Sequence, residues 1–82
     1  MGYPELKPLH PDSSLVPLKL AEFEGWSTEI LMASLAPGSK DCLKTRPDGT
    51  ILDGHHRIKV LQGRGVDVDR LPREIVHKEE AP

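Results

Sequence analysis

Five consecutive residues near the middle of the chain carry groups suited to binding an anion. They are Asp53-Gly54-His55-His56-Arg57, and the apolar pattern after them predicts a helix over about residues 54–62. A helix N-terminus presents unpaired backbone N–H groups and a partial positive charge, which together bind phosphate, carboxylate or sulfate. Gly54 lets an anion approach the backbone, and Arg57 adds a planar guanidinium that matches two phosphate oxygens. The pattern therefore predicts an anion site at Gly54, His55, His56 and Arg57.

The adjacent histidines add hydrogen-bond donors that gain charge near a phosphate. Successive helical residues point about 100° apart, so both imidazoles cannot face one small anion. We expect His56 to face the ligand and His55 to pack or to touch a base or sugar. A transition-metal site is not predicted, because two histidines on one helix face need a spacing of three or four residues.

Asp53 leaves three alternatives open. Its carboxylate could cap the helix, accept a hydrogen bond from a ligand hydroxyl, or hold a magnesium ion bound to the phosphates. On these residues alone, an anion site and an ordinary polar helix start fit the pattern almost equally well.

Composition limits the size and class of the protein. With 82 residues and a 37% apolar share, the chain predicts one domain with a small core. The net charge of −2 argues against a strongly basic nucleic-acid surface, and the single cysteine, Cys42, excludes a disulfide framework. No apolar stretch approaches membrane-spanning length and no signal-peptide core is present, so we expect a cytoplasmic protein without a membrane partner.

The remaining pattern predicts a small α+β domain over residues 18–78. Residues 1–17 contain four prolines and predict an extended lead-in with an edge strand near residues 5–9, and residues 79–82 predict a frayed tail. Residues 18–23 fit a short strand or the approach to a helix. The other predicted elements are a helix over 27–36 capped by Ser27, a hairpin over 42–52 with a Pro47-Asp48-Gly49 turn, and a strand over 73–76.

The stretch "ILDGHHRIKVLQGRGV", followed by "REIV", resembles the ParB/sulfiredoxin-like superfamily. In that superfamily a strand leads through a glycine into a helix with a G-x-H/R-R signature, matched here by Gly54, His56 and Arg57. The preceding "LAPGSKDCLKTRPDGT" is similar too, and the resemblance covers about residues 25–77. It implies a short mixed sheet with two main helices. It also implies a bound nucleoside triphosphate or diphosphate of the ATP or CTP class, with or without Mg²⁺.

The superfamily includes several activities, and the fold alone does not choose among them. Its sulfinic acid reductases carry a catalytic cysteine after the glycine, where this chain has His55, so reductase activity is not expected. Its DNA clamps need further domains after the nucleotide domain, which this sequence does not carry. We expect a regulatory or binding module that holds a nucleotide or another phosphate ligand.

Two alternatives remain. The first is a small Mg²⁺-dependent enzyme of the same superfamily, resembling a free amino-acid kinase or a nuclease, with Asp53, Glu22 and Glu24 as weak catalytic candidates. The second is a DNA-binding accessory protein that uses a set of arginines: Arg57, Arg64, Arg70 and Arg73. A protein partner is also compatible with the sequence, and the small core is compatible with a homodimer.

Overall fold

A computed structural model describes residues 3–9 and 15–77 of the chain. Within these ranges three helices pack against a three-stranded mixed sheet, which confirms the predicted α+β class. The elements in chain order are α1 (Pro17–Glu24), α2 (Thr28–Leu35), β1 (Lys44–Thr45), β2 (Ile51–Asp53), α3 (His55–Gly63), a 3₁₀ turn (Val68–Arg70) and β3 (Glu74–Ile75). No helix in the described ranges has the length and apolar character needed to cross a membrane.

The sheet is built around β1, which lies between the other two strands. β1 pairs antiparallel with β2 and parallel with β3. The predicted hairpin turn is present: the Asp48 carboxylate accepts hydrogen bonds from Thr50 N (3.0 Å) and Thr50 Oγ1 (2.8 Å), which hold the pKa of that carboxyl below its usual value. Gly49 has a φ of 96°, and a Cβ there would collide with the carbonyl of Glu5. A glycine is therefore required at this turn.

The core lies between the sheet and the helices, and α2 and α3 supply much of it. Its fully buried side chains include Leu31 and Leu35 from α2, Leu43 from the approach to β1, and Leu61 from α3. The predicted helices over 27–36 and 54–62 correspond to α2 and α3, and the hydroxyl of Ser27 caps α2 as expected by accepting from Ile30 N at 3.2 Å.

Residues 18–23, whose sequence fits either a short strand or the approach to a helix, belong to a helix, α1. Pro17 occupies its first turn, where the missing N–H costs no hydrogen bond and the fixed φ already suits a helix. No side chain of α1 is buried, and Leu20 and Phe23 are only partly buried against the core. α1 thus packs against α3 but contributes less to the buried core than α2 or α3.

Residues 3–9 of the predicted lead-in pack onto the domain. Lys7 forms one parallel bridge with Thr50, and Leu6 is buried in the core. The buried guanidinium of Arg73 donates to the carbonyl of Pro4 at 2.9 Å and stacks on the ring of Tyr3, with 4.6 Å from Cζ to the ring centroid. The expected edge strand is thus a single bridge. The rest of the lead-in, residues 1–2 and 10–14, and the predicted tail 79–82 lie outside the described residues.

Replacing Arg73 with Met should lower the free energy of unfolding by about 1–3 kcal/mol, because the carbonyls of Pro4 and Asp69 lose the hydrogen bonds that this buried guanidinium donates. Urea denaturation of the purified variant measures this effect. Arg70→Met is the matched control: the Arg70 side chain is 87% exposed and pairs with Asp67 on the surface, so its loss should cost under about 0.5 kcal/mol. Equal losses in the two variants would contradict the anchoring role of Arg73.

Candidate functional site

A cleft of about 440 Å³ opens at the N-terminal end of α3. Its walls come from α1, the turn after α1, the end of α2 and the loop over residues 36–43. The cleft gathers all five residues of the predicted signature, Asp53 to Arg57, together with Glu22 from α1. Glu24, the other weak catalytic candidate, does not line it. The structure therefore brings the signature to a concave surface of the size that binds small ligands.

The start of α3 has no side-chain cap. Gly54 is the N-cap residue, with a φ of 104°, and the first helical hydrogen bond runs from Ile58 N to Gly54 O at 3.0 Å. The alternative in which Asp53 caps this helix is wrong. Asp53 is the last residue of β2, and its carboxylate lies 3.8 Å from Lys44 Nζ. The first amides of α3 are thus not satisfied by a capping side chain.

Gly54 is needed for backbone conformation and for packing. Its positive φ lies in the region that side chains disfavour. A Cβ there would come within 3.0 Å of Leu35 Cδ2 and 3.6 Å of Leu43 Cδ1. The missing side chain of Gly54 thus makes room for the core side chains of Leu35 and Leu43. The sequence had predicted instead that it makes room for an anion.

Arg57 holds the floor of the cleft together. Its side chain is buried, and Nη1 donates to Ser34 O (3.2 Å) and Ser34 Oγ (3.1 Å), while Nη2 donates to the carbonyl of Asp41. Cζ also lies 5.9 Å from the centroid of the Phe23 ring. One guanidinium thus joins α3 to the end of α2, to the loop over 36–43 and to α1. Much of the donor fork predicted to hold a phosphate is engaged by protein oxygens.

The two adjacent histidines hold the N-terminal part of the chain. His55 Nε2 accepts from Leu9 N at 3.3 Å, and His56 Nε2 accepts from Val16 N at 2.9 Å. A ring nitrogen that accepts carries no proton, so His56 is neutral with its proton on Nδ1. Burial, and secondarily the positive charge of Lys19, lower the pKa of His56 and favour this neutral form. The nitrogen that we expected to face a ligand thus contacts the backbone of the protein.

Two lysines that the sequence interpretation missed provide exposed positive charge in the cleft. Lys19 comes from α1 and Lys40 from the loop over 36–43, and both side chains are exposed. Neither forms an ion pair with another residue in the described part of the chain. No local signal could have assigned them, because they are distant from the signature in sequence and only the fold brings them to it.

An aromatic pair forms another part of the cleft wall. The rings of Phe23 and Trp26 meet edge to face, with centroids 4.9 Å apart and an interplanar angle of 81°. Arg64 fixes the backbone beneath them: its Nη2 donates to Trp26 O (2.8 Å) and to Glu24 O (2.9 Å), and its Nη1 donates to Thr28 Oγ1 (3.0 Å). The end of α1, with Phe23, and the turn after it, with Trp26, therefore present two preorganised aromatic side chains to the cleft.

The carboxylates of the cleft do not form a ready metal cluster. Among residues 3–9 and 15–77, no three His, Cys, Asp or Glu side chains are grouped as metal ligands. Asp53 is half-buried and could contribute one carboxylate oxygen to a magnesium ion whose other ligands are phosphate oxygens and water. Such a site would depend on a bound phosphate for its assembly.

Replacing Arg57 with Lys should lower the free energy of unfolding by about 2–4 kcal/mol even without any ligand, because one ammonium group cannot reach both Ser34 and Asp41 in the geometry of the planar fork. Urea denaturation provides the measurement. Lys59→Ala on the exposed face of α3 is the control and should change stability by less than about 0.5 kcal/mol. An unchanged stability in Arg57→Lys would contradict the bracing role.

No family model, curated protein or solved structure matches this chain. Its function must therefore be argued from the cleft itself. The relevant features are the start of α3, where the N-cap residue has no capping side chain, the lysines Lys19 and Lys40, and the aromatic pair of Phe23 and Trp26.

Proposed function

We propose that the cleft binds a nucleotide, of the ATP or CTP class, through its phosphates, and that the domain acts as a binding or regulatory module. One observation carries this proposal: a single cleft of about 440 Å³ combines an uncapped helix start, two exposed lysines and two aromatic rings. Phosphates and bases are recognised by these groups. The signature Gly54-x-His56-Arg57 also resembles that of the ParB/sulfiredoxin-like superfamily, and membership in it is part of the proposal.

The phosphate end of the ligand is assigned to the start of α3 and to the lysines. The amides after Gly54 have no capping side chain and supply N–H donors with the positive end of the helix dipole. Lys19 and Lys40 supply mobile charges from two different elements. Arg57 contributes positive potential at the cleft floor while its hydrogen bonds keep that floor in place.

The base end of the ligand is assigned to the aromatic wall. Phe23 and Trp26 are each partly buried against the core, so part of each ring is left toward the cleft. Stacking on such rings suits any flat base, since every base offers a π-face. This arrangement supports nucleotide binding without selecting between ATP and CTP.

A Mg²⁺-dependent enzyme is a second candidate function, because two carboxylates line the same cleft. Glu22 from α1 and Asp53 from β2 could serve as general base and magnesium ligand in phosphoryl transfer to a free amino acid or in phosphodiester cleavage. Glu24 lies outside the cleft lining and is not favoured for this role.

DNA binding through the four arginines is less well supported. Arg57, Arg64 and Arg73 donate to oxygens of the protein itself, and Arg57 and Arg73 are buried. Arg70 is exposed but pairs with Asp67 at 3.2 Å. These guanidinium groups stabilise the fold, and DNA phosphates would have to compete for them.

Binding can be followed through Trp26, the only tryptophan of the chain. Titration with ATP, CTP or ADP, with and without Mg²⁺, should change its fluorescence in a saturable way and shift the amide signals of residues 54–58. Removing charge in Lys19→Ala and Lys40→Ala should weaken binding about tenfold each, as expected for loss of a charge-assisted contact of about 1.4 kcal/mol.

The control is Lys7→Ala, which removes an exposed lysine outside the cleft and should leave the affinity unchanged. No response to millimolar nucleotide, or an equal effect of all three lysine substitutions, would contradict the proposed site. If binding occurs, incubation with Mg²⁺ and free serine, or with plasmid DNA, separates an enzyme from a module. Loss of any product in Asp53→Asn would then assign the carboxylate.

A further inference from the structure

We infer that His56 is the acid-sensitive anchor of α1 rather than a contact to the ligand, so that the cleft is assembled while His56 is neutral and loses its α1 wall when His56 is protonated. The part of this inference that concerns a ligand rests on the proposed phosphate function. The part that concerns α1 does not, because it can be measured on the protein alone.

The hydrogen bond to His56 is made at the N-cap residue of α1, just before Pro17. Val16 is the N-cap residue of this helix, and its N–H donates to His56 Nε2 at 2.9 Å. Val16 also accepts the first hydrogen bond of the helix, because Leu20 N donates to Val16 O at 3.0 Å. A hydrogen bond to Val16 therefore fixes the end of α1 against the start of α3.

The rest of the attachment of α1 is packing along α3. None of its side chains is buried, and the partly buried pair Leu20 and Phe23 supplies its apolar contact with the core. At its C-terminal end Arg64 donates to Glu24 O at 2.9 Å. His56 thus ties the N-terminal end of α1 and Arg64 its C-terminal end, while the Phe23 ring contacts the Arg57 guanidinium between them. Loss of the His56 hydrogen bond should therefore loosen the N-terminal end of α1 first.

The wall of the cleft depends on this placement. α1 supplies Lys19, Glu22 and Phe23 to the cleft, whereas the end of β2, the start of α3 and the loop over 36–43 supply the rest of the charged groups. If the N-terminal end of α1 moves away, Lys19 moves with it. The cleft then loses one of its two exposed lysines and part of its aromatic wall.

Protonation removes the anchor by simple hydrogen-bond chemistry. A neutral imidazole has one acceptor nitrogen, and here that nitrogen is Nε2. An imidazolium carries a proton on both nitrogens, so its Nε2–H faces the Val16 N–H, donor against donor. The charged ring also faces the positive charge of Lys19, which is on the helix that it holds.

The charged surroundings set the direction of the effect. The cleft contains Lys19 and Glu22 from α1, Lys40 and Asp41 from the loop, Asp53 from β2 and Arg57 from α3. Burial, and then Lys19, lower the pKa of His56 despite the three carboxylates. The unfolded chain therefore takes up the proton first, and the contribution of the neutral ring to stability is complete above about pH 6.5 and lost as the pH falls below it.

Anion affinity distinguishes an anchor from a ligand contact, because the two roles predict opposite signs. A histidine that touches the ligand gains charge on acidification and binds an anion more tightly. A histidine that anchors α1 releases Lys19 on acidification, so the anion binds less tightly. Sulfate is a suitable probe, since it remains doubly charged across this pH range.

The first test measures amide hydrogen exchange in α1 at pH 7.5 and pH 5.5 without any ligand, corrected for the intrinsic pH dependence of exchange. In the wild type, protection of residues 20–24 should fall severalfold at the lower pH, because the detached state of α1 takes up the proton more readily than the anchored state. In His56→Gln, whose amide oxygen accepts without titrating, protection should be independent of pH.

The matched control is His77→Gln, which removes an exposed histidine outside the cleft and should keep the acid response of the wild type. In the wild type itself, the loss of protection should begin near pH 6.5 and level off at the titration midpoint of the His56 ring followed by NMR. This comparison remains decisive if His56→Gln fails to fold.

Unchanged protection of α1 in the wild type, or a loss of protection that continues well below the titration midpoint of the ring, would overturn the anchor. Sulfate affinity that falls between pH 7.5 and pH 5.5 supports it, and affinity that rises overturns it. If sulfate binds at neither pH, the proposed phosphate function fails, while the exchange measurement still decides the role of His56.

Discussion

The buried guanidinium of Arg57 is the contact on which the candidate site depends. It sits on α3, yet its hydrogen bonds reach the carbonyls of Ser34 at the end of α2 and of Asp41 in the following loop. Neither carbonyl belongs to the sheet. Together with the buried Leu43, this arginine holds the chain between α2 and β1 beside the start of α3. The same contact leaves Arg57 at the cleft floor with its charge uncompensated by an ion pair among the described residues.

The positive charge of the candidate site thus comes from one buried cation and from two exposed cations. Arg57 is rigid, because its planar fork holds two carbonyl groups from different segments. Lys19 and Lys40 are exposed and free to adjust to a ligand. The helix start between them offers backbone donors that need no side-chain ordering. A small domain can in this way hold a polyanion without burying several unpaired charges, which would cost more stability than its core supplies.

Local sequence signals predicted the elements well where turn and cap chemistry is specific. Asp48 and Gly49 define the hairpin, Ser27 caps α2, and Gly54 begins α3 because only glycine suits its backbone there. α1 could not be assigned with the same assurance, because its apolar residues mostly alternate along residues 18–23, which fits a strand as well as a helix, and no side chain on it is buried. The roles within the site were harder still. That Arg57 would turn inward and that His56 would accept from Val16 both depend on contacts between residues 16 to 40 positions apart.

The first described segment, residues 3–9, carries a consequence for how the chain folds. Leu6 N donates to Asp69 Oδ1 at 2.9 Å across 63 positions of sequence, and Pro4 O accepts from Arg73 across 69. Closing loops of that length is slow relative to forming the hairpin or α3, whose contacts are local. The beginning of the chain should therefore dock last, after the 3₁₀ turn has formed. On a ribosome, residues 3–9 would wait until Asp69 and Arg73 had been synthesised, so that they are made long before they find their place.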